Sequence, residues 1–82
     1  MTYGEIEATV KEILAKQLTM EAGGINLDSR LVEDLGLDSF GSVEVAFELE
    51  EKFDLKIPDA ALYEAKTVKN IVDYLASQKI TV

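Results

Sequence analysis

The residue best placed to take part in chemistry is Ser39, directly behind Asp38 in the run EDLGLDSFGSVE from Glu33 to Glu44. Asp38 is a good helix N-cap, a carboxylate able to accept from the first free backbone N–H groups of a helix. That places Ser39 at the first helical position with its hydroxyl outside the turn. Glu33 and Asp34 add negative charge ahead of the helix start, where the positive end of the helix dipole favours it. A hydroxyl held this way is exposed and fixed in direction, as suits a group that another enzyme modifies. It does not suit a nucleophile acting alone. The nucleophile elbow of serine hydrolases has glycines two residues either side of its serine. Gly41 fits, but position 37 is Leu37, and the chain has no histidine to act as base. Without cysteine or histidine, ligation of a metal by those residues is impossible. A calcium loop starting at Asn26 would put Arg30 where an oxygen ligand belongs, and one starting at Asp34 would end on Val45. Neither catalysis nor a metal site is expected.

The elements that must hold Ser39 follow from helical spacing. Residues Met1 to Leu18 read as a first helix, with Thr2 and Glu5 as a capping box and Tyr3, Ile6, Val10, Ile13, Leu14 and Leu18 on one face. Glu7–Lys11 and Glu12–Lys16 are favourable pairs on its outer side. From Thr19 to Leu37, glycines and Asn26 and Asp28 separate isolated apolar residues, which predicts a long loop pinned by Ile25, Leu27, Leu31 and Leu35. Loops of this length in small domains are uncommon unless they are functional. Ser39 to Phe53 is the second helix. Pro58 opens a short third over about Asp59 to Ala65. Thr67 caps a fourth, with Val68, Ile71, Val72 and Leu75 at i, i+3, i+4 and i+7. No stretch alternates as a strand would. The expectation is an all-α fold: one domain over residues 1–82, a four-helix bundle of three longer helices and one short helix, running up and down, with a long loop between helices one and two.

The second helix carries more apolar residues than one face needs. At 100° per residue, Val45, Ala46, Leu49 and Phe53 form the core stripe, while Phe40, Val43 and Phe47 fall almost opposite. A helix apolar on two sides is either wrapped by neighbours or exposes one stripe. Three other helices, one very short, cannot easily cover both sides, so Phe40, Val43 and Phe47 are expected to be exposed. Charge points the same way. The net charge is −8, and the seven acids between Leu31 and Glu51 stand without a lysine or arginine among them. Such a surface repels nucleic acid and attracts proteins with basic patches. Glu44, Glu50 and Glu51 flank the second stripe, and together they suggest a docking face. A solvated acidic surface scattered with single apolar residues is the plainer alternative.

Size limits the rest. A domain this small buries only about 60% of its unfolded surface. No apolar stretch approaches the roughly 20 residues of a membrane span, and the N-terminus lacks a charged segment followed by an apolar one. A cytoplasmic protein without a membrane span is expected.

An Asp-Ser pair at a helix start is ordinarily only a cap. Here a glycine-bearing loop leads in and a second apolar stripe leads away. The run EDLGLDSFGSVE, with LEEKF (Leu49 to Phe53), IPD (Ile57 to Asp59) and TV (Thr67, Val68), resembles the discrete acyl carrier proteins of the phosphopantetheine-binding family over nearly the whole chain. The resemblance implies that a phosphopantetheinyl transferase moves 4'-phosphopantetheine from coenzyme A onto Ser39. It implies that the arm's thiol holds acyl groups as thioesters for fatty-acid, polyketide or related lipid biosynthesis. The partners implied are that transferase and acyl-transferring and synthase enzymes with basic docking patches, acting on a monomer. It also implies an acyl pocket between helices two and three, lined by Val45, Ala46, Leu49, Ala61 and Leu62. Fatty-acid carriers usually read Asp-Ser-Leu-Asp, whereas this chain reads Asp38-Ser39-Phe40-Gly41. The run SFGSVE is closer to D-alanyl carriers and to some specialised acyl carriers, while EDLG and IPD lean back towards fatty-acid and polyketide carriers; a specialised carrier is what the resemblance implies. A D-alanyl or other aminoacyl carrier loaded by an adenylating enzyme is one alternative. An unmodified acidic helical adaptor, with no use for Ser39, is another.

Overall fold

In the computed structural model, which describes residues 2–78, the helical periodicity resolves into α1 (Tyr3–Leu18), α2 (Ser39–Phe53), α3 (Asp59–Glu64) and α4 (Val68–Ser77). A single 3-10 turn, Ala22–Gly24, sits in the first loop. Among the described residues there is no strand, only an isolated bridge between Arg30 and Thr67. None of these helices is long and apolar enough to cross a membrane.

Helix α1 starts where its capping box does. Thr2 Oγ1 accepts from the Glu5 N–H at 3.2 Å, and Glu5 Oε1 accepts from the Thr2 N–H at 2.8 Å. The Thr2 backbone N–H, and then its hydroxyl, hold the Glu5 carboxyl below its ordinary range. Met1, included in the helix by its sequence, lies outside the described residues. The helix ends on Thr19, whose φ of 54° is left-handed, a conformation that β-branched residues rarely adopt.

The core forms around α1, which packs against both α2 and α4. Ile6, Val10 and Leu14 meet Val45, Leu49 and Phe53 from α2 and Val68, Val72 and Leu75 from α4. Each fully buried side chain of this kind contributes roughly 1.5–3 kcal/mol. Tyr3 departs from the expected stripe. It is partly exposed at the end of the bundle, and its hydroxyl donates to Asp73 Oδ1. Lys69 Nζ donates to the other oxygen of Asp73 at 2.7 Å. The Lys69 bond, and then the Tyr3 bond, keep Asp73 below the usual carboxylate range. Lys11 pairs with Glu7 as expected. Lys16 instead reaches across to Glu48 of α2, at 3.9 Å, and not to Glu12.

The first loop is ordered by the start of α4. Leu27 O and Ser29 O accept from the Lys69 and Val68 N–H groups at 2.9 and 3.1 Å. These are N–H groups that a helix start leaves without an internal partner. Leu31 N–H donates to Lys66 O at 2.9 Å. Ile25, Leu31 and Leu37 are buried beneath, and Leu27 and Leu35 pack at the core's edge. At the head of α4, Thr67 Oγ1 accepts from the Asn70 N–H, and Asn70 Oδ1 accepts from the N–H groups of Lys66 and Thr67. The middle of the loop that leads to Ser39, residues 27–31, is therefore tied to the start of α4 and the residue pair before it.

Candidate functional site

Asp38 is an N-cap held from two sides. Its Oδ1 accepts from the Gly41 N–H at 2.6 Å. Its carbonyl accepts from both the N–H and the hydroxyl of Ser42, each at 2.9 Å. Ser39 follows as the first residue of α2 and is exposed. Its hydroxyl has no hydrogen-bond partner among the described residues.

Gly41 has a steric role that sequence reasoning missed. A Cβ at this buried position would stand 3.1 Å from Asp38 Oδ1, 3.1 Å from Leu37 Cδ1 and 3.6 Å from Gln17 Nε2. Glycine inside a helix costs up to about 1 kcal/mol relative to alanine. The missing side chain also lets the cap and the last loop residue seat closely on α2. The available signal was its position, three residues after the cap, where its N–H meets the capping carboxylate.

Asp34 is engaged elsewhere than at the helix start. Its Oδ2 accepts from the Arg30 backbone N–H at 2.8 Å and from Arg30 Nε at 3.3 Å, and its Oδ1 from Nη2 at 3.2 Å. The Arg30 guanidinium, and then the Arg30 N–H, hold its carboxyl below the usual range. Glu33 also lies near Arg30, at 3.8 Å. Of the three acids expected to serve the start of α2, Asp38 alone caps it. The other two brace the loop.

The second apolar stripe is exposed: Phe40 by 71%, Val43 by 62% and Phe47 by 61%. Val45, Ala46, Leu49 and Phe53 on the opposite side are buried. Glu44 and Glu51 are exposed beside the stripe. Glu50 is half-buried, and its Oε2 accepts from the Ile57 N–H at 2.7 Å, so it fastens the link from α2 to α3.

A cavity of about 380 Å³ opens beside Ser39. Leu31, Val32, Glu33 and Leu37 of the loop line it, together with Asp38, Ser39, Ser42 and Val43 at the head of α2. Ala65 and Lys66, ahead of α4, complete the wall. This is not the set suggested by resemblance. Val45 and Leu49 belong to the central core, Ala46 is buried and Ala61 half-buried. The Leu62 side chain lies outside the described residues. Of these loop residues Leu31 alone was expected as a pin, because their convergence on Ser39 depends on the backbone ties to residues 66–69.

Comparison with known proteins follows the same residues. A family model described as a phosphopantetheine attachment site matches residues 8–75. An acyl carrier protein of Onion yellows phytoplasma (strain OY-M) is 46% identical over 66 residues, covering 80% of this chain and 87% of the relative. One from Helicobacter hepaticus is 41% identical over 71 residues, covering 87% and 93%. Among solved structures, a Mycobacterium tuberculosis protein assigned as an acyl carrier protein superposes with a TM-score of 0.83 at 29% identity, over 89% of this chain and 97% of that one. With a match that spans both the loop and the capped serine, this chain belongs to the phosphopantetheine-binding family of acyl carrier proteins.

Proposed function

We propose that the chain carries acyl intermediates as thioesters on a 4'-phosphopantetheine arm joined to Ser39. The placement of Ser39 supports this most directly: it is capped, exposed, first in α2, and on the wall of a largely apolar cavity. That cradle suits a covalently tethered chain. When bound, the arm supplies the thiol that this cysteine-free protein lacks. In loading, Ser39 Oγ attacks the pyrophosphate of coenzyme A. A new P–O bond forms at Oγ, the phosphoanhydride bond breaks, and the nucleotide portion leaves. The serine proton passes to a base on the transferase, since this chain has no histidine. Asp38 orients the helix start, its carboxylate being occupied by the Gly41 N–H.

The partners are a phosphopantetheinyl transferase and acyl-transferring and synthase enzymes. Phe40, Val43 and Phe47 form the face on which they dock, with Glu44 and Glu51 attracting their basic patches. Leaving such a side chain exposed forgoes roughly 1.5–3 kcal/mol, which a partner recovers on covering it. Glu50 supports the face by fixing Ile57. Cargo enters by the cavity at Ser39. For a longer chain, the path that the resemblance implies runs between α2 and α3, past Val45, Ala46, Leu49, Ala61 and Leu62. Residues 1–82 act as one carrier domain, a four-helix bundle with α3 as its short helix. It acts as a cytoplasmic monomer, where its transferase and coenzyme A are found. Phe40 and Gly41, in place of the usual leucine and aspartate, favour a specialised carrier.

Incubation with coenzyme A and a broad-specificity transferase tests the reading. Wild type should gain one phosphopantetheine and Ser39→Ala none, with the same helical circular dichroism. Modification that persists in Ser39→Ala, or maps to Ser29 or Ser42, defeats it.

A further inference from the structure

Lys66 is the one cationic residue among those that line the cavity at Ser39, and Glu33 and Asp38 are the acids that share it. Its backbone is fixed twice. The N–H donates to Asn70 Oδ1 at 2.8 Å, and the carbonyl accepts from the Leu31 N–H at 2.9 Å. The side chain is exposed and makes no ion pair among the described residues; the same holds for Lys52 and Lys56, but neither of those lines this cavity. Lys66 thus brings a flexible side chain, on a backbone hydrogen-bonded at both its N–H and its carbonyl, to the lining of a cavity that otherwise holds apolar residues, two acids and the serines Ser39 and Ser42. Modification of Ser39 would bring an oxyanion to the same cavity, beside Asp38 and Glu33. Two like charges there are unfavourable, and the apolar walls strengthen any attraction to a cation. A lysine suits this task, being a compact charge able to follow a moving anion.

We propose that Lys66 binds an oxyanion delivered through Ser39, either the phosphodiester of the arm or a carboxylate on its cargo, and so holds the arm against the cavity when no enzyme is docked. The inference rests on the carrier reading above. Phosphorus NMR of the modified protein tests it, after intact mass has confirmed one arm on Ser39 in each sample. The free-thiol form carries only the phosphodiester, a butyryl form adds a neutral cargo, and a succinyl form adds a carboxylate. Proton and nitrogen resonances of the Lys66 side chain are followed in parallel. If the phosphodiester is bound, its phosphorus resonance should shift in Lys66→Gln in all three forms and return in Lys66→Arg. If the carboxylate is bound, the Lys66 side-chain resonances should move only in the succinyl form. Both results should fade with added salt. Identical spectra for wild type and Lys66→Gln, with no loading-dependent change at Lys66, overturn the proposal and leave the carrier reading intact. Failure of Ser39 to accept the arm overturns both.

Discussion

Replacing Phe47 by alanine separates a docking surface from a core. Phe47 is 61% exposed, so the fold hides about two-fifths of it. A buried phenylalanine costs about 3–5 kcal/mol when cut to alanine, and two-fifths of that is roughly 1–2 kcal/mol. Alanine returns part of the loss, since its helix propensity exceeds that of phenylalanine by about 0.5 kcal/mol. The net destabilisation should be about 1 kcal/mol, a fall in melting temperature of about 4–8 °C for a domain of this size. Leu49→Ala, at a side chain 1% exposed on the opposite face, should cost about 2–5 kcal/mol. Urea unfolding of both variants gives the comparison directly. Loading and acyl transfer are then measured well below the melting temperature of Phe47→Ala, with a drop in kcat/KM of tenfold or more expected. A core-sized loss of stability in Phe47→Ala, or unchanged transfer kinetics with each partner enzyme, refutes the docking argument.

Three further outcomes follow from particular contacts. Thr19→Gly should raise stability by about 0.5–1 kcal/mol in thermal unfolding, because threonine is disfavoured at the left-handed φ of 54° that glycine adopts freely. Gly41→Ala should fail to deliver the roughly 1 kcal/mol that helix propensity alone offers, because its Cβ presses on Asp38 and Leu37; a full gain in denaturant unfolding would show that this close seating carries no weight. The folded-state pKa of Asp73 lies below its ordinary value, mainly through Lys69 and then Tyr3, so its contribution is present above the unfolded value of about 4 and is lost as pH falls through the folded one. Asp73→Asn should accordingly flatten part of the acid limb in melting-temperature measurements below about pH 4.

What could be read from the residues alone was local and periodic. The capping box at Thr2 and Glu5, the N-cap at Asp38 and the cap at Thr67 each depend on residue types a few positions apart, and each forms. The exposure of Phe40, Val43 and Phe47 follows from helical angles and the shortage of elements to cover a second face. Contacts between distant segments were not legible. The bonds from Leu27, Ser29 and Leu31 to residues 66–69 run through the backbone, so no side chain advertises them. They nevertheless bring Leu31 and Val32 to Ser39 and create the cavity. Glu50 read as a free surface acid, and only the path of the chain through Ile57 brings an N–H to it. Lys16 chose Glu48 over Glu12 for a similar reason, because a neighbouring helix offered a carboxylate that one-dimensional spacing does not reveal.

The claim on which the rest depends is that Ser39 bears an arm with a labile cargo. Intact mass of the protein purified from its own host, before and after mild hydroxylamine treatment and followed by peptide mapping, tests it most directly. The expected result is a mass increased by one phosphopantetheine plus a cargo, with the cargo alone lost on thioester cleavage and the remainder mapped to Ser39. The mass of the released cargo also separates an acyl from an aminoacyl carrier. An unmodified protein, or a hydroxylamine-stable modification on a residue other than Ser39, would contradict the account.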